Sequence, residues 1–193
     1  MKRIGILGGT FNPVHIGHLA IAEWACEQLK LDKVIFVPSH LPPHKTSRGV
    51  LDSKHRFEMV LQAVKDNPCF GVSDFEVNRE GKSYSIDTVE HFRSIFPKDT
   101  KFYFIIGEDA LTTLSDWKDI DRLTELVDFV AVNRPGTHHL KSKVPVKFIP
   151  MLGIDVSSSY VRKCLTSGKS AKYFLPENVI KYIKKHHLYT SRP

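Results

Sequence analysis

The run GGTFNPVHIGH, Gly8 to His18, concentrates residues that can hold an anion. The Gly8–Gly9 pair lets the main chain approach a ligand closely and tolerates positive φ. Thr10 adds a hydroxyl and an N–H. Where such a run leads from a strand into a helix, the unpaired N–H groups and the positive dipole end of the helix face whatever lies above the strand. A phosphate is the natural occupant. His15 and His18 stand three apart and are expected to share a face in the first helical turn. Both can donate to phosphate oxygens and can carry charge beside an anion. The same pair could instead ligate a metal, with His40 and His44 available as further ligands, or simply pack.

A second constellation lies near the C-terminus. Val156-Ser157-Ser158-Ser159-Tyr160-Val161-Arg162 places three hydroxyls at the opening of an expected helix and a guanidinium one turn in. Serines there offer donors to a β- or γ-phosphate, and Arg162 can reach the same anion with a planar fork. Taken alone, such a serine run is more often a helix cap.

Both constellations need rigid elements to hold them. Arg3 to Gly8 reads as a buried strand, and Leu19, Ala22, Cys26 and Leu29 recur at helical spacing over Ile16 to Leu29. Strands follow at Lys33–Pro38, Phe70–Ser73, Lys101–Gly107, Asp128–Val132 and Val146–Ile149. Between them lie helices marked by Phe57, Val60, Leu61 and Val64, by Ile86, Val89, Phe92 and Ile95, and by Asp119 to Leu126. Two more close the chain near Ser159–Leu165 and Pro176–Lys185, with Pro176 expected in the first turn. This alternation predicts an α/β fold: a Rossmann-like, doubly wound, mostly parallel sheet of five to six strands with helices on both faces. Ligands of such sheets bind beyond the C-terminal strand ends, at the switch in strand order. Residues 1–193 are expected to form a single domain, with a C-terminal helical part from about 157 onward.

The 193 residues are 41% hydrophobic, 25% charged and 10% aromatic, which excludes collagen, coiled coil and wholesale disorder. No apolar stretch approaches the roughly 20 residues of a membrane-crossing helix. The N-terminus enters a strand pattern at once, leaving no room for a signal peptide. Lys plus Arg is 28 against 21 for Asp plus Glu, and the net charge of +7 favours anionic partners. Cys26, Cys69 and Cys164 form no C-x-x-C, so they are expected to be buried or half-buried thiols in a reducing cytosol, without a disulfide framework or a four-cysteine zinc site. The cluster Lys181, Lys184, Lys185, His186 and His187 reads as a solvated helix end.

Together the two constellations resemble the H-x-G-H nucleotidyltransferase superfamily, which also contains class I aminoacyl-tRNA synthetases. His15-Ile16-Gly17-His18 spells the namesake, and Val156 to Arg162 resembles the I-S-S-T-x-x-R motif, with Ser159 where Thr is usual. Further stretches resemble the bacterial nicotinate mononucleotide adenylyltransferases over nearly the whole chain. They are Pro42-Pro43-His44-Lys45, Ser83-Tyr84-Ser85-Ile86-Asp87-Thr88, Gly107-Glu108-Asp109 with Leu111, Leu114 and Trp117, Asn133-Arg134-Pro135-Gly136, Tyr173-Leu175-Pro176 and Leu188-Tyr189. Departures are Asn12 for the commoner Asp, Ser85 for Thr, and Glu108 for a small residue.

The resemblance implies adenylyl transfer from ATP to nicotinate mononucleotide, releasing pyrophosphate and forming nicotinate adenine dinucleotide for NAD biosynthesis. The attacking phosphate is already an anion, so no enzyme nucleophile or general base is needed. His15, His18 and Arg162 are then expected to be catalytic. Gly8, Gly9, Thr10, Phe11, Gly107, Asp109, Arg134, Ser157 and Ser158 are expected at ATP, with Asp109 on the ribose. Lys45, Tyr84, Ser85, Trp117 and Lys118 are expected at the mononucleotide, with Trp117 stacked on the pyridine ring. Mg²⁺ is expected on the ATP oxygens with no dedicated protein ligands. The implied enzyme is cytoplasmic, binds neither nucleic acid nor membrane, and leaves homo-oligomerisation open. Two alternatives remain from the sequence: a sibling transferase with another phosphorylated acceptor, and a non-catalytic nucleotide- or RNA-binding module.

Overall fold

The structure, a computed structural model, describes residues 1–41, 49–107, 110–133, 142–151 and 153–190. Lys45, Asp109 and Arg134, together with Pro42 to His44 and Glu108, lie outside the described residues.

The strands carry nearly continuous apolar runs because both faces of their sheet are covered. In β1 (Arg3–Gly9), Ile4 and Ile6 enter one core and Leu7 the other. In β4 (Lys101–Gly107), Phe102, Phe104 and Ile106 join the first core, and Tyr103 and Ile105 the second. The period-2 alternation of side chains thus splits each strand between two cores. With β2 (Lys33–Pro38), β3 (Phe70–Val72), β5 (Asp128–Asn133) and β6 (Val146–Pro150), they form one sheet in the order β3-β2-β1-β4-β5-β6. Every pairing is parallel. Six parallel strands meet the expected doubly wound architecture, and the order reverses at β1 and β4.

Four helices pack on the core that holds Leu7: α1 (Ile16–Leu29), α2 (Ser53–Val64), α5 (Ser158–Thr166) and α6 (Glu177–Lys185). Two cover the opposite face: α3 (Ser85–Ile95) and α4 (Ile120–Leu126). Local signals set their ends. The Asp52 carboxylate accepts the N–H of Lys54 at 2.8 Å, so α2 starts at Ser53, ahead of the first apolar marker Phe57. The Ser157 hydroxyl accepts the N–H of Tyr160 at 3.2 Å and caps α5.

Three expectations are corrected. His15 is the N-cap of α1, extended at φ −142°, and not a first-turn residue. Pro176 likewise stands one step outside α6, as its N-cap. Cys26 and Cys69 are joined in a disulfide, leaving Cys164 as a buried free thiol. The pairing is tertiary: it links the end of α1 to the residue before β3, across 43 positions of sequence. Among the described residues, no helix is long and apolar enough to cross a membrane.

Candidate active site

Parallel strands end on one edge of the sheet, and there Gly8 is exposed although its strand lies between β2 and β4. That exposure leaves the Gly8 main chain open to solvent at the switch in strand order. The chain then turns sharply. Phe11 adopts φ 47°, and its ring is buried against Phe36 at 5.8 Å and edge-on to His18 at 5.0 Å. A Cβ on Gly9 would stand 2.9 Å from the Phe11 ring, so Gly9 is needed for this packing. Phe11, expected at ATP, therefore gives its side chain to the core.

His15 and His18 come together as a stacked pair, ring centroids 3.7 Å apart and planes 28° from parallel. His15 is buried and His18 half-buried. The His15 N–H donates to Nδ1 of His18 at 3.1 Å. A neutral His18 must then carry its proton on Nε2, which makes Nε2 a donor. Gly17 explains the glycine between them: a Cβ there would lie 3.1 Å from Nδ1 of His15.

The serine–arginine segment docks on this same turn. The Ser158 hydroxyl donates to the Pro13 carbonyl at 2.9 Å. Arg162 donates through Nη1 to the Asn12 carbonyl at 2.7 Å and through Nη2 to the Ser159 hydroxyl at 3.1 Å. Segments about 150 residues apart in sequence are thereby joined at one point. Ser157 spends its hydroxyl oxygen on the α5 cap, which is the structural role the sequence had left open. Asn12 is a hub: its amide donates to the Gly49 carbonyl at 3.0 Å, and its Oδ1 accepts the Tyr189 hydroxyl at 2.7 Å. Burial pushes the Tyr189 phenol well above its ordinary value, against the opposing pull of Arg162 and Arg56, so it remains a neutral donor.

A second cluster gathers the expected acceptor residues. Tyr84 is the N-cap of α3, and Ser85 is the first residue of that helix. Lys118 places Nζ 4.9 Å from the centre of the Tyr84 ring and 3.9 Å from the Asp87 carboxylate. Trp117 is half-buried, edge-on to Phe104 at 5.6 Å and to Phe129 at 6.1 Å, so packing supplies at least part of its role. Gly107 ends β4, beside the switch point.

Sequence reasoning missed two buried residues around these clusters, Arg56 and Glu76, and gave no separate role to Ser83. Arg56 is the bulkiest of the fully buried side chains among the described residues. Burial lowers its pKa, opposed by the fields of Tyr189, Asp52 and Glu76. Glu76 is buried and accepts the Thr88 hydroxyl at 2.5 Å, and burial raises its pKa above the ordinary range. Ser83 accepts the His40 N–H at 2.9 Å. Neither Arg56 nor Glu76 sits in a run that signals ligand chemistry.

A glycine-rich turn, paired histidines and a serine–arginine segment on a 3-2-1-4-5-6 sheet point to a nucleotide-handling α/β protein. A family model described as Cytidylyltransferase-like matches residues 6–164. A protein of Shouchella clausii, described as "Probable nicotinate-nucleotide adenylyltransferase", is 46% identical over 98% of this chain and 97% of its own length. One of Thermoanaerobacter with the same description is 42% identical, covering 97% of this chain and 94% of its own. Among solved structures, a Plasmodium falciparum nicotinic acid mononucleotide adenylyltransferase complexed with NaAD superposes with a TM-score of 0.80 at 20% identity, over 98% of each chain. The chain belongs to the cytidylyltransferase-like family, among its nicotinate-nucleotide adenylyltransferases.

Proposed function

We propose that this chain transfers the adenylyl group of ATP to nicotinate mononucleotide, yielding nicotinate adenine dinucleotide and pyrophosphate in NAD biosynthesis. The observation that carries this reading is the docking of Ser158 and Arg162 on the main chain of the Asn12–Pro13 turn. It brings a cationic fork to the edge of the sheet where the glycine turn opens. The reaction is direct and in line. The mononucleotide's phosphate oxygen forms a bond to the α-phosphorus of ATP, the bond to the β-phosphate bridging oxygen breaks, and pyrophosphate leaves with the electron pair. The chain's residues position and stabilise charge.

His18, protonated on Nε2, donates to oxygens of the reacting phosphate, and His15 stacks beside it as a second donor. Gly8, Gly9, Thr10 and the Phe11 backbone form the phosphate turn. Arg162 and the α5 N-terminus receive the β- and γ-phosphates. Gly107, Asp109 and Arg134 hold the nucleoside end of ATP. Tyr84, Ser85, Trp117, Lys118 and Lys45 hold the acceptor, with the Lys118 ammonium supplying attraction for its carboxylate. A divalent ion, Mg²⁺ in this reading, would arrive with ATP as part of the substrate and would supply charge neutralisation at its phosphate oxygens. The donors and cations gathered here suit phosphate, and the ion would keep mainly to substrate oxygens and water.

We further take residues 1–193 as one nucleotidyltransferase domain, with its C-terminal helical part from about 157, and place the enzyme in the cytoplasm. Counting free thiols in freshly lysed, alkylated protein checks whether the Cys26–Cys69 bridge persists in that compartment. The experiment for the activity supplies purified protein with Mg-ATP and either nicotinate or nicotinamide mononucleotide, and follows pyrophosphate. The acid should be strongly preferred, because donors matched to a carboxylate are left unpaired by the amide. Equal kcat/KM for the two would sink the assignment. Turnover with neither would point to a sibling transferase.

A further inference from the structure

Arg56 rises from the first turns of α2 into a site only 1% exposed. A buried guanidinium is costly to desolvate and is normally found beside a carboxylate. Here its described hydrogen bonds all go to main-chain carbonyls in three different segments. Nε donates to Leu51 at 2.9 Å, Nη1 to Thr10 at 2.7 Å, and Nη2 to His40 at 2.9 Å. Thr10 belongs to the phosphate turn after β1. His40 follows β2, and its own N–H donates to the Ser83 hydroxyl at 2.9 Å. Ser83 in turn donates its N–H to the Leu41 carbonyl at 3.0 Å, immediately before Tyr84 and Ser85 at the entry to α3. Ser53, also on α2, faces Nδ1 of His40 at 3.3 Å and adds a second tie to the same residue.

A continuous chain of contacts therefore runs from the phosphate turn, through the Arg56 fork and the His40 peptide, to the acceptor segment. We propose that Arg56 is a positioning residue that fixes the spacing between the ATP turn and the acceptor segment, so that the two reactants meet in line. This rests on the adenylyl-transfer reading above. The fork suits the task because its donors are coplanar and rigid, so the carbonyls of Thr10 and His40 cannot drift apart independently. An ammonium on a flexible stem would satisfy one carbonyl at a time. Neither subsite is built from Arg56 itself, so each substrate alone should still find its own contacts. What is lost without the fork is their mutual alignment, which belongs to the transition state.

The test compares Arg56→Lys and Ser83→Ala with the wild-type enzyme. For each, kcat at saturating Mg-ATP and nicotinate mononucleotide is measured with the dissociation constant of each substrate alone and the melting temperature. Arg56→Lys should lower kcat roughly 10- to 100-fold while each dissociation constant stays within about threefold. Ser83→Ala cuts the next link without touching the guanidinium, and should lower kcat several-fold with the same split. A merely structural arginine would lower the melting temperature and leave kcat intact in the folded fraction; that result overturns the proposal. So does a parallel loss of both affinities. Should Arg56→Lys fail to fold, Ser83→Ala decides by the same criterion. No turnover by the wild type overturns the reading and this proposal together, whereas full wild-type turnover with unimpaired variants overturns this proposal alone.

Discussion

At Arg162 two neighbouring contacts, to the Asn12 carbonyl and the Ser159 hydroxyl, already hold the fork against the turn that follows β1. In the proposed reaction charge grows on pyrophosphate as it leaves, so a contact from Arg162 to that group would strengthen in the transition state. Arg162→Ala should lower kcat by roughly 10² to 10³ with little change in the mononucleotide KM. Arg162→Lys should recover only part of it, because a point charge does not reproduce two prongs. Steady-state kinetics on both substrates checks this; a raised acceptor KM with kcat spared would move Arg162 to the acceptor site. Glu76 makes a prediction in pH. Burial raises its folded pKa above the ordinary 4.5, so the fold favours the protonated acid. Its stabilising contribution is complete below about pH 4.5 and is lost as pH rises through the folded value. Glu76→Gln keeps an acceptor for the Thr88 hydroxyl but does not ionise. Urea midpoints should therefore shift in favour of Glu76→Gln as pH rises from about 4.5 to 7. Parallel pH profiles for the two proteins would refute a buried, reluctantly charged Glu76.

Helix α1 is the element on which both histidines depend. Its N-cap is His15, and its third residue, His18, bonds back to the His15 N–H. Gly17 sits where a Cβ would press on the His15 ring at 3.1 Å. Alanine is intrinsically the better helix former by about 1 kcal/mol, so helix propensity alone favours Gly17→Ala. The methyl group must displace the imidazole by a few tenths of an ångström, in a reaction sensitive to that scale. Gly17→Ala should hold its melting temperature near the wild type and lower kcat by roughly tenfold. A fully active Gly17→Ala would mean that the His15 ring position is not critical.

Across the whole molecule, the chain's two ends meet at Asn12. The Tyr189 hydroxyl reaches Asn12 Oδ1, 177 residues away in sequence, while Arg162 grips the carbonyl of the same residue. Tyr189→Phe removes that hydrogen bond without emptying the core, and should lower stability by about 1 kcal/mol in a denaturant titration. If stability is unchanged, the C-terminal contact is not holding the turn. The motifs themselves were legible in the linear chain. A glycine pair, histidines at i, i+3 and a serine run three residues before an arginine are local patterns, and local patterns are written in the order of residues. So were the alternating elements, since strand and helix periods depend on near neighbours. Arg56 was not legible: its meaning lies in three carbonyls at positions 10, 40 and 51, which backbone folding alone brings within reach. Nor was the Cys26–Cys69 bridge, which depends on where α1 ends against β3. Phe11 shows the same limit, as a motif residue whose ring belongs to the core because a left-handed turn points it inward. Sequence spacing encodes which groups share an element, but hydrogen bonds and burial between distant elements exist only once the sheet has ordered them.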